Sequence, residues 1–237
     1  MKRVWLSRNL VLLTLVSLTQ DAASDLLYPL LPILLTGVIG AAPLALGLIE
    51  GCAEAAAGFA KLYSGKYSDR IGRKPFVIAG YSLAGVGKAL VVVATSWPLV
   101  FFGRVTDRIG KGMRSSPRDA LIHDSVPKEH LGKAFGFHRA GDNLGAVIGP
   151  ALALLGLALL DDDVRAVAQW ALIPALLSGL LTLFIKDTFK KRKCVSKVNQ
   201  AEQDRIKAEV YANTTEQKNM VGLKDFCLVH KSAYHNR

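Results

Sequence analysis

The sequence predicts an all-α integral membrane protein of six transmembrane helices, with both termini in the cytoplasm. Hydrophobic residues make up 51% of the 237 positions, and long apolar runs separate clusters of charge. The Lys and Arg residues gather at alternate connections, as expected for cytoplasmic loops. Of the 30 Lys+Arg and 19 Asp+Glu, 11 and 6 fall in residues 187–237. We therefore divide the chain into a six-span bundle, residues 1–186, and a polar cytoplasmic tail, residues 187–237.

Each apolar run can cross a hydrocarbon core of about 30 Å, which takes roughly 20 helical residues. Only helices satisfy backbone hydrogen bonds there without a closed barrel, and alternating ten-residue segments are absent. The first run also resembles a cleavable signal peptide, but it resumes over residues 26–35 and reaches spanning length. The predicted spans are residues 9–35, 43–63, 75–95, 97–121, 132–160 and 164–186.

The distribution of positive charge sets the predicted orientation. The connections 38–42 and around Ser96 hold no Lys or Arg, and Arg165 follows the acidic stretch 161–163. The opposite ends and connections are assigned to the cytoplasm because they hold Lys2, Arg3, Arg8, Lys66, Arg70, Arg73, Lys74, Arg114, Arg118, Lys128 and the run 190–193.

Several function classes find no support in the sequence. Cys52, Cys194 and Cys227 have no disulfide or metal-ligand spacing, so we expect no metal site and no cofactor. The basic residues flank apolar runs and form no nucleic-acid motif, so nucleic acid is not an expected partner. No nucleophile–base arrangement or phosphate-binding glycine loop indicates an enzyme.

The connection between the second and third spans carries a distinctive motif. Residues 65–75 read GKYSDRIGRKP, in which Gly65 and Gly72 would permit a tight turn with positive backbone angles. This run resembles the signature loop of the major facilitator superfamily. The matching residues are Gly65, Ser68, Asp69, Arg70, Gly72, Arg73 and Lys74.

Glycines in three other spans strengthen the resemblance and predict close helix packing. Arg108 with Gly112 is similar to the family's fourth-span pattern. In the fifth span the family's antiporter-associated motif is matched by Gly136, Gly145, Gly149 and Pro150, although Ala153 and Leu154 replace its closing glycine pair. Close neighbours are expected along small-residue faces, at Gly47 and Gly51 of the second span and at Gly141, Gly145 and Gly149 of the fifth.

The resemblance implies a fold and a class of function. A family member is a multi-pass protein of the inner or plasma membrane, built from two six-helix halves that are each a 3+3 inverted repeat, and this chain resembles the first half followed by a truncated linker. It implies a secondary transporter of a small solute that works by alternating access; H⁺ is one candidate coupling ion. The alternative is a half-transporter that only assembles with a partner or is inert. Its expected partners are the lipid bilayer, the solute, and a second six-helix half or a second copy of the chain.

Ionisable residues inside the spans are the candidate functional site, because charge in hydrocarbon is costly and usually functional. At ~1.5 Å per residue, Asp21, Glu54, Arg108 and Asp142 lie ~15–18 Å from their helix ends, at mid-membrane. The full candidate set for a proton and substrate cavity is Asp21, Asp25, Glu50, Glu54, Arg104, Arg108, Arg139 and Asp142.

We hypothesise that one of these carboxylates exchanges protons. Two acids one turn apart repel when both are ionised, which favours retention of a proton on one of them. Asp21 or Glu54 would load and release the proton, while Arg108 would control its affinity through pairing. The alternative is a static salt-bridge network that fixes helix register, with Arg139–Asp142 as a static pair.

Overall fold

The computed structural model describes residues 5–186, and that part of the chain is helical without strands. The predicted all-α fold is confirmed there, whereas the predicted tail, residues 187–237, lies outside the described residues. Seven α-helices follow one another in the described range: α1 (Arg8–Ile33), α2 (Pro43–Ile71), α3 (Arg73–Val92), α4 (Trp97–Ser125), α5 (Leu131–Leu159), α6 (Val164–Trp170) and α7 (Leu172–Leu183).

The six predicted spans correspond to these helices, with α6 and α7 together forming the sixth. By length and hydropathy, five stretches of the described chain could cross a membrane: Arg8–Val38, Pro43–Ile71, Arg73–Val92, Lys128–Leu159 and Val164–Leu183. The remaining helix, α4, is 29 residues long like α2 but has too many charged residues to meet the same hydropathy limit. Most of its mid-helix charges are directed into the bundle, as described below.

Prolines account for the irregular points in the first and last spans. Helix α1 contains Pro29 and Pro32 and continues into a π-helical turn, Leu34–Val38. The sixth span is interrupted at Ala171, where α6 ends and α7 begins. Pro174 has no backbone N–H to donate to the carbonyl of Trp170, so the helical hydrogen-bond ladder is broken at this position.

The predicted cytoplasmic turn between the second and third spans is shorter than expected. Helix α2 continues to Ile71 and α3 begins at Arg73, so Gly72 alone separates them. Gly72 adopts the positive φ of 125° that was predicted, because this region is disfavoured for residues with a Cβ. The prediction of a turn conformation at Gly65 is wrong, since Gly65 lies inside α2.

The helices pack in two groups that have the same pattern of contacts. Helix α1 contacts α5 and α7, and α4 contacts α2 and α3. Exchanging the first three spans for the last three converts the α4–α2 contact into the α1–α5 contact, and the α4–α3 contact into the α1–α7 contact. This correspondence is the one expected for a 3+3 repeat. Helices α1 and α4 approach each other only sparsely, which leaves space between them.

The close packing predicted for the fifth span is confirmed. A Cβ at Gly145 would lie 2.6 Å from the carbonyl oxygen of Leu18, and one at Gly149 would lie 2.6 Å from that of Ala22. Gly141 is similarly close to Thr14. The α1 and α5 backbones therefore approach so closely that side chains at these positions would force them apart.

The same prediction is wrong for the second span. Among the described residues, no atom lies within 4 Å of where a Cβ would stand at Gly47 or Gly51. Both glycines are exposed because they lie on the part of α2 that faces away from α4. Close glycine packing occurs instead between α3 and α4, where a Cβ at Gly80 or Gly110 would clash with the backbone of the neighbouring helix.

Candidate functional site

A polar cleft of about 340 Å³ lies between α1, α2, α4 and α5. Five basic side chains and four carboxylates line it, together with a serine, an asparagine and an alanine. The lining residues are Asp21, Asp25, Lys61, Lys111, Arg114, Ser115, Arg118, Asp119, Arg139, Asp142, Asn143 and Ala146. We call this the charged cleft.

A polar stripe on α4 contributes Lys111, Arg114 and Arg118 to the charged cleft. Its members are Arg104, Asp107, Lys111, Arg114 and Arg118, which follow one another at intervals of three, four, three and four residues. This spacing keeps them on one face of a helix. The stripe is directed into the bundle, and four of its five members are buried.

Arg114 links α4 to α1 at the base of the cleft. Its side chain is 2% exposed, and Nη2 contacts Oδ1 of Asp21 at 3.2 Å. The guanidinium carbon lies 4.2 Å from the centre of the Tyr81 ring on α3, a cation–π arrangement. Arg114 is thus held by two helices, while its Nη1 has no hydrogen-bond partner within the described part of the chain.

Arg118 lies one turn further along α4 and also contacts helices across the cleft. Its Nη1 donates to the Ser17 hydroxyl at 2.7 Å, and its Nε donates to Asp119 at 3.2 Å. Nη1 also lies 3.7 Å from Oδ2 of Asp142 on α5. The guanidinium therefore bridges α1, α4 and α5.

Asp142 does not form the static pair with Arg139 that was predicted. Its ionisable neighbours are Arg118 and His138, whose Nε2 lies 3.6 Å from Oδ1. Asp142 faces α4, whereas Arg139 is exposed and forms no ion pair with a described residue. A separation of three residues on one helix would allow an Arg139–Asp142 pair. In the structure, Arg118 on α4 and His138, four residues before Asp142 on α5, are its partners instead.

A second group of charges joins α2, α3 and α4 outside the cleft. The Lys88 ammonium donates to Asp107 at 2.6 Å, and Arg104 donates to Glu50 at 2.6 Å. Arg108 lies 3.5 Å from Glu50 and 3.1 Å from Glu54. Three acids alternate with three bases in this chain of contacts. We call it the charge ladder: Glu54, Arg108, Glu50, Arg104, Asp107 and Lys88.

The eight predicted site residues are therefore divided between two places. Asp21, Asp25, Arg139 and Asp142 line the charged cleft. Glu50, Glu54, Arg104 and Arg108 belong to the charge ladder. Arg108 meets Glu54, as the pairing hypothesis expected, whereas Asp21 meets Arg114 instead.

The charged cleft residues that sequence reasoning missed are Lys61, Lys111, Arg114, Arg118 and Asp119. Arg114 and Arg118 were assigned to a cytoplasmic connection, which is wrong because α4 runs to Ser125 and buries both side chains. The available signal was the spacing of the α4 stripe, which continues unbroken beyond Arg108.

The signature-loop residues lie where α2, α3 and α4 end. Arg73 donates to the Ala120 carbonyl at 2.8 Å and contacts Asp124 on α4. It also lies 3.4 Å from Asp69, whose side chain is 66% exposed. Lys74 donates to the carbonyl of Leu183. Arg73 and Lys74 thus tie the start of α3 to the ends of α4 and α7.

In the described residues, no cluster of three His, Cys, Asp or Glu side chains could hold a metal ion.

Comparison with known proteins identifies the family. The model of the Major Facilitator Superfamily matches residues 13–227. An uncharacterised MFS-type transporter of Methanocaldococcus jannaschii is 36% identical over 183 residues, covering 77% of this chain and 46% of that protein. The multidrug resistance protein MdtH of Salmonella paratyphi B is 28% identical over 163 residues, covering 69% and 40%.

A solved structure shows the same fold. A POT family transporter in complex with 5-aminolevulinic acid superposes with a TM-score of 0.67 at 17% identity, over 92% of this chain and 46% of that one. The chain thus spans less than half the length of the relatives it matches. These relatives indicate a transporter rather than an enzyme. The chain is a multi-pass membrane protein that belongs to the major facilitator superfamily of transporters.

Proposed function

We propose that the chain forms one six-helix half of a secondary transporter that moves a small solute across the inner or plasma membrane by alternating access. The charged cleft is the observation that carries this proposal. Nine ionisable side chains from four helices converge on it, and such groups are tolerated inside a membrane where they line a watery cavity. A volume of about 340 Å³ falls in the size range of small-molecule sites.

The residues that line the cleft form one side of the transport pathway, and a second six-helix bundle forms the other side. Two observations support this part of the proposal. Relatives are more than twice as long as the matched segment. Helix α2, which contributes Lys61 to the cleft, exposes large apolar side chains such as Phe59 and Leu62. The second bundle is a further half of the same kind or a second copy of this chain. A half that only assembles, without transporting, is the alternative.

Proton coupling belongs to the same proposal and uses the carboxylates of the cleft. Asp21 and Asp25 lie one helical turn apart, and Asp21 pairs with Arg114. Asp25 forms no ion pair with a described residue and lines the cleft. Protonation of Asp21 would relieve the repulsion between the two carboxylates and weaken the pairing of Asp21 with Arg114. Glu54 with Arg108 is the corresponding pair of the charge ladder.

The orientation proposed for the bundle places both termini in the cytoplasm. The basic residues Arg8, Arg73 and Lys74 lie at helix ends on one side, and the α6 side carries the acidic stretch 161–163. This asymmetry is the one that membrane insertion favours.

Two-sided access to the cleft separates a working transporter from an inert half. In a background with Cys52, Cys194 and Cys227 changed to Ser, Ser115→Cys places a thiol in the cleft and Ser82→Cys places one on the outer surface of α3. A membrane-impermeant maleimide is applied to right-side-out and to inverted vesicles. Alternating access predicts that Ser115→Cys is labelled from both sides. Labelling from one side alone would favour the inert alternative, with Ser82→Cys reporting background reactivity.

A further inference from the structure

We infer that the charged cleft binds an organic anion, recognised through a carboxylate or phosphate group. The inference rests on the proposed function, because it names the substrate class of that same site. The sequence left cationic and anionic solutes equally open, since the predicted site residues carried both signs. The basic residues that the structure adds to the cleft decide between the two.

The charge balance of the cleft differs from that of the charge ladder. The ladder contains three acids and three bases in mutual contact, so it is neutral overall. The cleft contains five bases and four acids. In addition, two of its acids share Arg118, as described above. The excess positive charge therefore resides on basic side chains of the cleft that form no ion pair with a described residue.

Those side chains come from three different helices. Lys61 lies on α2, Lys111 on α4 and Arg139 on α5, and each lines the cleft. Within the described range none of the three forms an ion pair. Among the cleft carboxylates, only Asp25 forms no ion pair within the described range. Three unpaired cations around one unpaired carboxylate favour a ligand with negative charge.

Arg114 provides the fixed donor of the site. The side chain is 98% buried, held by Asp21 and by the Tyr81 ring, and it lines the cleft. Its Nη1 is buried and has no hydrogen-bond partner among residues 5–186. A buried guanidinium N–H without a partner is costly, whereas guanidinium groups match the planar oxygens of carboxylate and phosphate. Nη1 exposes almost no surface in this conformation, so a ligand oxygen in the cleft would satisfy this donor once the guanidinium turns toward it.

Ligand-dependent thermal unfolding of the full chain in lipid nanodiscs tests the inference. Three probes are compared at equal ionic strength: glutarate, inorganic phosphate, and 1,5-diaminopentane as a cation of similar length to glutarate. A ligand that binds the folded state raises the unfolding temperature with concentration. We expect glutarate or phosphate to raise it and the diamine to have no effect. The stronger of the two anions identifies whether carboxylate or phosphate is the recognised group.

Substitutions locate the effect in the cleft. Lys61→Gln and Arg139→Gln should each weaken the apparent affinity for the anion by about tenfold, the usual value of a charge-assisted hydrogen bond. Lys66→Gln on α2 and Lys133→Gln on α5 remove the same charges outside the cleft and should leave the affinity unchanged. All four replace side chains that are exposed, so folding should be retained.

Three results would overturn the inference: stabilisation by the diamine alone, no stabilisation by either anion, or equal losses in the cleft and control variants. None of these would by itself remove the proposed function, which depends on two-sided labelling of Ser115→Cys. A cleft that is labelled from both sides but prefers the diamine would keep the transporter and reverse its substrate charge.

Discussion

Several buried charged side chains in this protein pair with a partner on another helix. Lys88 on α3 and Asp107 on α4 are 1% and 4% exposed and meet at 2.6 Å. Asp107 also lies 3.5 Å from Arg104, so the buried lysine is one end of a longer chain of contacts. A charge in such a place is stable only while its counter-charge remains, because water cannot replace the lost partner.

We therefore expect Asp107→Asn to destabilise the bundle strongly. The substitution keeps the size of the side chain but leaves the Lys88 ammonium buried without a carboxylate, a change that typically costs about 3–5 kcal/mol. Thermal unfolding in nanodiscs measures the effect. The double variant Lys88→Met with Asp107→Leu removes both charges and should recover most of the loss. If Asp107→Asn unfolds at the same temperature as the parent chain, the buried pair contributes no stability.

At the scale of helices, contact between backbones depends on glycine. Helices α1 and α5 approach each other along Gly141, Gly145 and Gly149, and α3 and α4 do so along Gly80 and Gly110. The first contact places α1 beside α5, and Gly112 on α4, where a Cβ would clash with the Ala57 carbonyl, places α4 beside α2. These contacts therefore also fix the four walls of the charged cleft.

The substitution Gly149→Leu should disrupt the α1–α5 contact. Its Cβ would lie 2.6 Å from the Ala22 carbonyl oxygen and 2.7 Å from the Leu26 backbone nitrogen, so the helices must separate. Overpacking of this kind costs about 1–3 kcal/mol, and backbone clashes place it at the upper end. The matched control is Gly136→Leu on the same helix, where the described chain leaves open space. Equal unfolding temperatures for the two variants would contradict the packing described here.

Sequence patterns and structure agree best for elements whose signal is local. Apolar runs located six spans, and the four-residue spacing of Gly141, Gly145 and Gly149 predicted a face of the fifth span that a neighbouring helix approaches closely, which is α1 in the structure. Gly47 and Gly51 have the same spacing but face away from the bundle, because a sequence does not state which face of a helix has a neighbour. Arg114 and Arg118 were missed for a related reason, since basic residues near a helix end were interpreted as a cytoplasmic connection.

At the scale of the described bundle, residues 5–186, the two helix groups lie on either side of the charged cleft. The helices on either side are related as expected for a 3+3 repeat. Which charges meet across the cleft depends on side-chain directions from four helices. For that reason the sequence predicted four of the nine ionisable side chains of the cleft, and it grouped these four with residues of the charge ladder.

The proposed orientation makes a prediction for the full chain. Both ends should be cytoplasmic, because positive charge is retained on that side during insertion. Green fluorescent protein fused after residue 237 should fluoresce, and alkaline phosphatase fused there should be inactive. As a positive control, phosphatase inserted after Asp162, between α5 and α6, should be active. An active phosphatase at the C-terminal fusion would reverse the proposed orientation.

We propose that charged groups from separate helices share one water-filled cleft inside the membrane. Spin labels at Asn143 and Leu144 test this proposal directly, since the first residue lines the cleft and the second is exposed and does not line it. Power-saturation EPR in nanodiscs compares collisions with a water-soluble nickel complex and with lipid-soluble oxygen. We predict preferential nickel access at Asn143 and preferential oxygen access at Leu144. Preferential oxygen access at Asn143 would place it in lipid and contradict the cleft.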